Sequence, residues 1–155
     1  MTLKEELKAE QVKHLDLTGF SKVPVGTAVA ACVAQMRRDR SHVALVLNNK
    51  KLAGIVTERD MLRKVADEPT MLAQPVEAVM TADPVVVTPD TVAADALWLM
   101  DEKNFRNLPV VDNKGTVLGT MTHQSIIHYL AARYPQDILN RPPQPEKFPK
   151  KPEGG

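Results

Sequence analysis

Cysteine occurs once in the 155 residues, at Cys32, which excludes an internal disulfide and a cysteine-rich zinc site. Aromatic residues make up only 4% of the chain, too few for the stacking platforms that hold single-stranded nucleic acid. Neither sign of charge dominates. Twenty basic and 19 acidic residues leave a formal charge of +1, far short of a polyanion-binding field. No run approaches the roughly 18 apolar residues that span a membrane. The opening MTLKEELKAEQ alternates charge and lacks the apolar centre of a signal peptide. These absences point to a soluble, cytoplasmic protein that contacts neither membrane nor nucleic acid. What is present is aliphatic: 43% of residues are hydrophobic, chiefly 18 valines, 16 alanines and 15 leucines. Such a chain can bury a core, either as one domain or as two small halves.

Five of the 12 prolines fall in the last 15 residues, RPPQPEKFPKKPEGG. The whole C-terminal tail, 135–155, is expected to be extended, because proline continues neither a helix nor a ladder. Its last 15 residues also hold the excess positive charge, residues 1–140 carrying 16 basic and 17 acidic residues. At the other end, Leu3, Leu7, Val12 and Leu15 fall on one helical stripe, and 1–14 is read as an N-terminal helix. A helix that short is marginal alone, so it must dock on its own domain or on a second copy.

The chain repeats itself. Residues 28–66 and 91–131 show the same order of signals. Each has an Ala/Val/Met-rich amphipathic helix, a β-rich pentad (Val43–Leu47; Leu108–Asp112), a polar turn, a second strand and a second helix. Val29 matches Val92 at an offset of 63, Met36 matches Met100 at 64, and Gly54 matches Gly119 at 65. The two apolar runs around each turn read as a hairpin. A further strand precedes each first helix, clear at Val85–Val87 and weaker at Val23–Val25. The expected fold is therefore α/β (α+β), two strand–helix–strand–strand–helix units, 15–68 and 76–134, joined by a linker, 69–75. Units this small bury little alone, so they should pack together.

After the second strand the first copy reads Gly54-Ile55-Val56-Thr57-Glu58-Arg59-Asp60, and the second reads Gly119-Thr120-Met121-Thr122-His123-Gln124-Ser125. With VMTADP ahead of the second unit, the arrangement resembles a cystathionine-β-synthase (CBS) domain pair, with a pseudo-twofold between the units. GIVTERD matches that family's Gly-x-x-Thr-x-x-Asp adenosine-ligand motif at every fixed position. The chemistry is compatible with the motif. Thr57 offers a hydroxyl that donates and accepts, and Asp60 supplies two acceptor oxygens suited to the cis hydroxyls of a ribose. Arg59 adds a fixed positive charge, and Gly54 permits close approach. The resemblance implies an adenine slot from Val23 and Val25 together with Ser41, His42, Val43 and Ala44. It also implies a possible phosphate contact from Thr122 and His123 across the cleft. The competing reading of Thr57-x-x-Asp60 is a capping box, in which the carboxylate merely starts a helix. The second copy keeps Thr122 but has Ser125 for Asp60, so a helix start does not demand the carboxylate. The second site is expected to be empty, weaker, or selective for something other than a riboside.

Other candidates carry less. The four histidines lack metal spacing. Cys32, matched with Asp95, is expected on the less buried side of its helix, without a neighbouring base. The methionines read as core filler, and Trp98 as partly exposed at a dimer contact. No phosphate-binding loop, nucleophile elbow or matched acid–base pair appears. The expected function is a non-catalytic regulatory module. It would sense an adenosine-containing ligand (AMP, ADP, ATP, NAD or S-adenosylmethionine) between the repeats and relay it to a separate client protein. The resemblance implies a homodimer, with the N-terminal stripe as an extra contact. The alternative is a structural dimer whose ligand site has decayed.

Overall fold

The computed structural model describes residues 2–133; the expected extended tail lies outside them. The first long helix of each unit stops on a left-handed residue. Helix α2 (Val29–Asp39) ends at Arg40 with φ 53°, and α4 (Ala93–Lys103) ends at Asn104 with φ 56°. The following amides fold back, Ser41 N–H donating to Met36 O at 2.9 Å and Phe105 N–H to Met100 O at 2.8 Å. That closure satisfies carbonyls a helix end leaves open. The chain then enters an antiparallel hairpin, β2 (Val43–Asn48) with β3 (Lys51–Thr57), or β5 (Asn107–Val111) with β6 (Val117–Thr122). In the second turn the Asp112 carboxylate accepts the Lys114 and Thr116 amides before Gly115 at φ 81°. Each hairpin runs straight into a helix, α3 (Glu58–Lys64) or α5 (His123–Arg133). The α/β repeat expected from the sequence is present in both halves.

The leading strands reverse expectation. β1 (Ser21–Pro24) pairs in parallel with β2, and β4 (Thr81–Ala82) closes the other edge of a sheet ordered β1-β2-β3-β4. Val85–Val87, the clearer apolar run, makes one bridge. Val87 N–H donates to Pro109 O at 3.0 Å and Val111 N–H to Val87 O at 2.9 Å. The next bond of a parallel ladder would need an N–H at residue 109, and proline has none. Val85 and Val86 consequently stay exposed, and among the described residues the second sheet holds β5 and β6 alone.

Nor is the N-terminal stripe one helix. α1 (Leu3–Ala9) stops because Glu10 and Gln11 turn extended, and Gln11 bridges Val92. Leu7, Val12 and Leu15 are then buried with Val87, Ala93, Ala96, Met100, Leu108, Val110 and Met121, completing the core of the second unit. Reciprocally, Val76 and Val79 complete the first core, with Val23, Val29, Cys32, Met36, Ala44, Val46 and Val56. The hydrogen bonds repeat at an offset of 64. Val12 N–H donates to Thr91 O as Val76 N–H does to Thr27 O, and Ala93 N–H to Glu10 O as Val29 N–H does to Gln74 O. The stretch entering each unit therefore packs on the other unit. The stripe is occupied within its own chain and leaves no apolar face of Leu7, Val12 and Leu15 for a dimer. The offset of 64 also corrects two sequence matches. Val29 corresponds to Ala93, and Cys32 to Ala96 rather than Asp95, so Cys32 is fully buried. Burial pushes its thiol up to about 11, which removes it as a nucleophile.

A third apolar cluster joins the sheets. Val43, Leu45 and Ile55 pack with Phe20, Leu47, Leu52 and, from the second hairpin, Val117. Beside it Val117 N–H donates to Lys50 O at 3.3 Å.

Candidate functional site

β3 passes into α3 without a loop, at Thr57 (φ −115°, ψ 167°). The capping box is formed. Asp60 N–H donates to Thr57 Oγ1 at 3.3 Å, and Asp60 Oδ2 accepts the Thr57 amide at 2.9 Å and its hydroxyl at 3.1 Å. Both bonds to the carboxylate use Oδ2, so among the described residues Asp60 Oδ1 keeps its lone pairs. Capping and a ligand role are compatible here, because they fall on different oxygens of one half-buried carboxylate. The Glu58 amide is taken by His42 O at 3.2 Å. Arg59 is exposed and makes no ion pair among the described residues.

Strand register brings part of the expected set together. Val43 lies opposite Thr57, and His42 Nδ1 sits 2.5 Å from Glu58 Oε1. Thr57, Asp60, His42 and Val43 thus share one corner. The others are elsewhere. Val23 and Ala44 face the closed core of the first unit, and Val25 is at the surface beyond β1. Ser41 Oγ meets Ser21 Oγ at 2.5 Å, and Ser21 donates to Asp39 at 2.7 Å, so Ser41 latches β1 to the end of α2. Gln35 and then Ser21 donate to the Asp39 carboxylate and hold it below its usual range. A cleft of about 740 Å³ opens between α2 and α3, lined in part by Ser41, His42, Met36 and Met61.

Gly54 does provide close approach, but to this chain. A Cβ there would lie 2.9 Å from Thr81 O and against the Met80 sulfur. Gly119 does the same for Leu17, whose carbonyl accepts the Thr120 amide at 3.0 Å. Met80 and Thr81 were legible only as part of VMTADP, with no role assigned, and Leu17 was missed because it lies outside every motif; the offset of 64 between Leu17 and Thr81 is the signal that matches them. Gly54→Ala is expected to cost about 2 kcal/mol through overpacking against backbone, measured as a lowered urea midpoint with unchanged slope.

The matching corner of the second unit is sealed. Ser125 is buried; its hydroxyl accepts the Thr122 amide at 2.9 Å and donates to Asp16 O at 2.6 Å. Asp16 is itself clamped. Its Oδ1 accepts the Thr18 hydroxyl at 2.6 Å and amide at 3.0 Å, and its Oδ2 lies 2.5 Å from His128 Nδ1. The Thr18 hydroxyl, the Thr18 amide and then His128 hold the Asp16 carboxyl below its usual 3.8. A lowered folded pKa means that this stabilisation is complete at neutral pH and is lost as pH falls below 3.8. Asp16→Asn is therefore expected to lose less stability than wild type on acidification from neutral pH, and identical thermal profiles would rule the clamp out. Thr122 caps α5, while His123 is exposed, and no described hydrogen bond joins it to Thr57–Asp60.

The model of the CBS domain family matches residues 12–67 and again 76–132. The CBS domain-containing protein CBSCBSPB5 of Arabidopsis thaliana is 36% identical over 129 residues, covering 82% of this chain and 23% of the relative. The chain thus spans about a quarter of that relative's length. Among solved structures, CBSX2 in complex with AMP matches with a TM-score of 0.69 and 26% identity, over 79% of this chain and 96% of that one. A CBS domain protein from Pyrobaculum aerophilum complexed with AMP shares the fold at 20% identity and a TM-score of 0.69, over 79% and 99% of the two chains. No described helix is long and apolar enough to cross a membrane. Two successive matches to one family model, on two units with reciprocal cores, place the chain in the CBS domain family, as a tandem pair.

Proposed function

We propose that this chain is a non-catalytic sensor of an adenosine-containing ligand, bound at the Thr57–Asp60 corner, one molecule per chain. The observation that carries the reading is the asymmetry between the two corners. Asp60 caps its helix with one oxygen and keeps the other for a ribose hydroxyl, whereas Ser125 spends both donor and acceptor inside the protein. The likeness to CBSX2, crystallised with AMP, supports the ligand class. Arg59, exposed beside the corner, supplies positive charge for a phosphate. Ligand bridging the two units would favour one relative orientation, read by a client protein in the cytoplasm. The sensor works as a homodimer. Isothermal calorimetry with AMP, ADP, ATP, NAD and S-adenosylmethionine tests the reading: a saturable isotherm at one site per chain is expected for one of the five. Absence of heat with all five, together with an unchanged melting temperature, would sink it.

A further inference from the structure

Residues 16–21 lead from the core of the second unit to the first strand of the first, and side chains tie both ends. At the β1 end the buried Ser21 hydroxyl donates to Asp39 at 2.7 Å and meets the Ser41 hydroxyl at 2.5 Å. Ser41 leads directly into the ligand corner. The next carbonyl, of His42, accepts the Glu58 amide at 3.2 Å, and Val43 lies opposite Thr57. At the other end Asp16 holds α5 twice, its carbonyl accepting from Ser125 at 2.6 Å and its carboxylate lying 2.5 Å from His128. Six extended residues reach at most about 20 Å, so little slack separates the two ties.

The matching connector between the units has neither tie. At an offset of 64 it has Met80 for Asp16, Val85 for Ser21 and Phe105 for Ser41, none with a hydroxyl or a carboxylate. α5 is also lightly held. Of its 11 residues only Ser125 is buried, so its docking leans on Asp16 together with Ile126 and Tyr129, which pack against the second core. A helix with so little buried surface opens locally at a fraction of the global unfolding free energy.

We infer that residues 16–21 couple ligand occupancy at the Thr57–Asp60 corner to the docking of α5. A ligand that orders the corner lowers the cost of ordering the Ser41–Ser21 latch and the connector behind it. By linkage, a docked α5 then tightens ligand binding. The second corner has no such route to α3. The inference rests on the ligand reading above and names the element that responds when that site fills.

Hydrogen exchange of the full chain, with and without saturating ligand, tests the coupling. AMP, ADP, ATP, NAD and S-adenosylmethionine are first titrated by calorimetry, and each that binds is carried into the exchange experiment. The amides of α5 are expected to exchange at least about 5-fold more slowly with ligand. Ser21→Ala and Asp16→Ala, at opposite ends of the connector, are each expected to cut that slowing below about 2-fold while one ligand per chain still binds. The readout is the ratio with and without ligand, which a merely weakened α5 would leave unchanged, and either variant decides if the other fails to fold. Saturable binding with α5 exchange indifferent to ligand would overturn the inference and leave the ligand reading standing. So would a slowing that survives the substitutions. Absence of binding by all five compounds would overturn both.

Discussion

Aspartate at position 12 is expected to open the second unit, and aspartate at position 76 the first. Val12 and Val76 are both fully buried, each in the core of the unit that it does not precede directly in sequence. Each backbone N–H is held by a threonine carbonyl across the junction, at 2.9 Å for Val12 and 2.7 Å for Val76. An unpaired carboxylate in such a position costs several kcal/mol, whether it stays charged or is forced to protonate. Small domains have about 5–15 kcal/mol in total, so either substitution removes a large share. The crossing gives the prediction its signature in hydrogen exchange. Val12→Asp should strip protection first from β5 and β6, and Val76→Asp first from β2 and β3. Loss of protection on the sequence-adjacent side would contradict the reciprocal packing.

The second large effect concerns the ligand. Asp60→Asn keeps a side-chain oxygen for the helix cap but removes the charge that strengthens a bond to ribose. Hydrogen bonds to charged groups contribute about 1.5–3 kcal/mol, so affinity for the adenosine ligand is expected to fall about 10- to 150-fold. The melting temperature without ligand should move little, since the capping bonds can persist. Ser125→Asp tests the other corner. It is not expected to create a second site, because the new carboxylate would face the Asp16 carbonyl that Ser125 now contacts at 2.6 Å. Lower stability with an unchanged stoichiometry of one is the expected outcome. A stoichiometry of two would mean that residues 16–18 yield to ligand.

Much of this was legible in the residues. The order of helix, strand, turn and strand could be read twice because its signals are local: apolar periodicity, Asn49 and Gly115 in tight turns, threonine at each final helix start. Even the two competing readings of Thr57 and Asp60 were both visible. The expected adenine slot was less so. Val23 and Ala44 look available in a linear sequence, yet strand alternation turns them into the helix-side core.

What the sequence determined alone was the duplication, the strand and helix content of each unit, and the single intact Gly-x-x-Thr-x-x-Asp motif in a chain with one cysteine and few aromatics. Tertiary structure decided the rest, because the deciding contacts join residues far apart. Whether Val85–Val87 becomes a strand depends on a missing N–H at Pro109. Which core Val12 enters depends on a bond to Thr91, and whether the second corner is open depends on Asp16, 109 positions from Ser125. A repeat can be counted along a chain; which surface closes which unit is settled only when long-range burial selects one pairing.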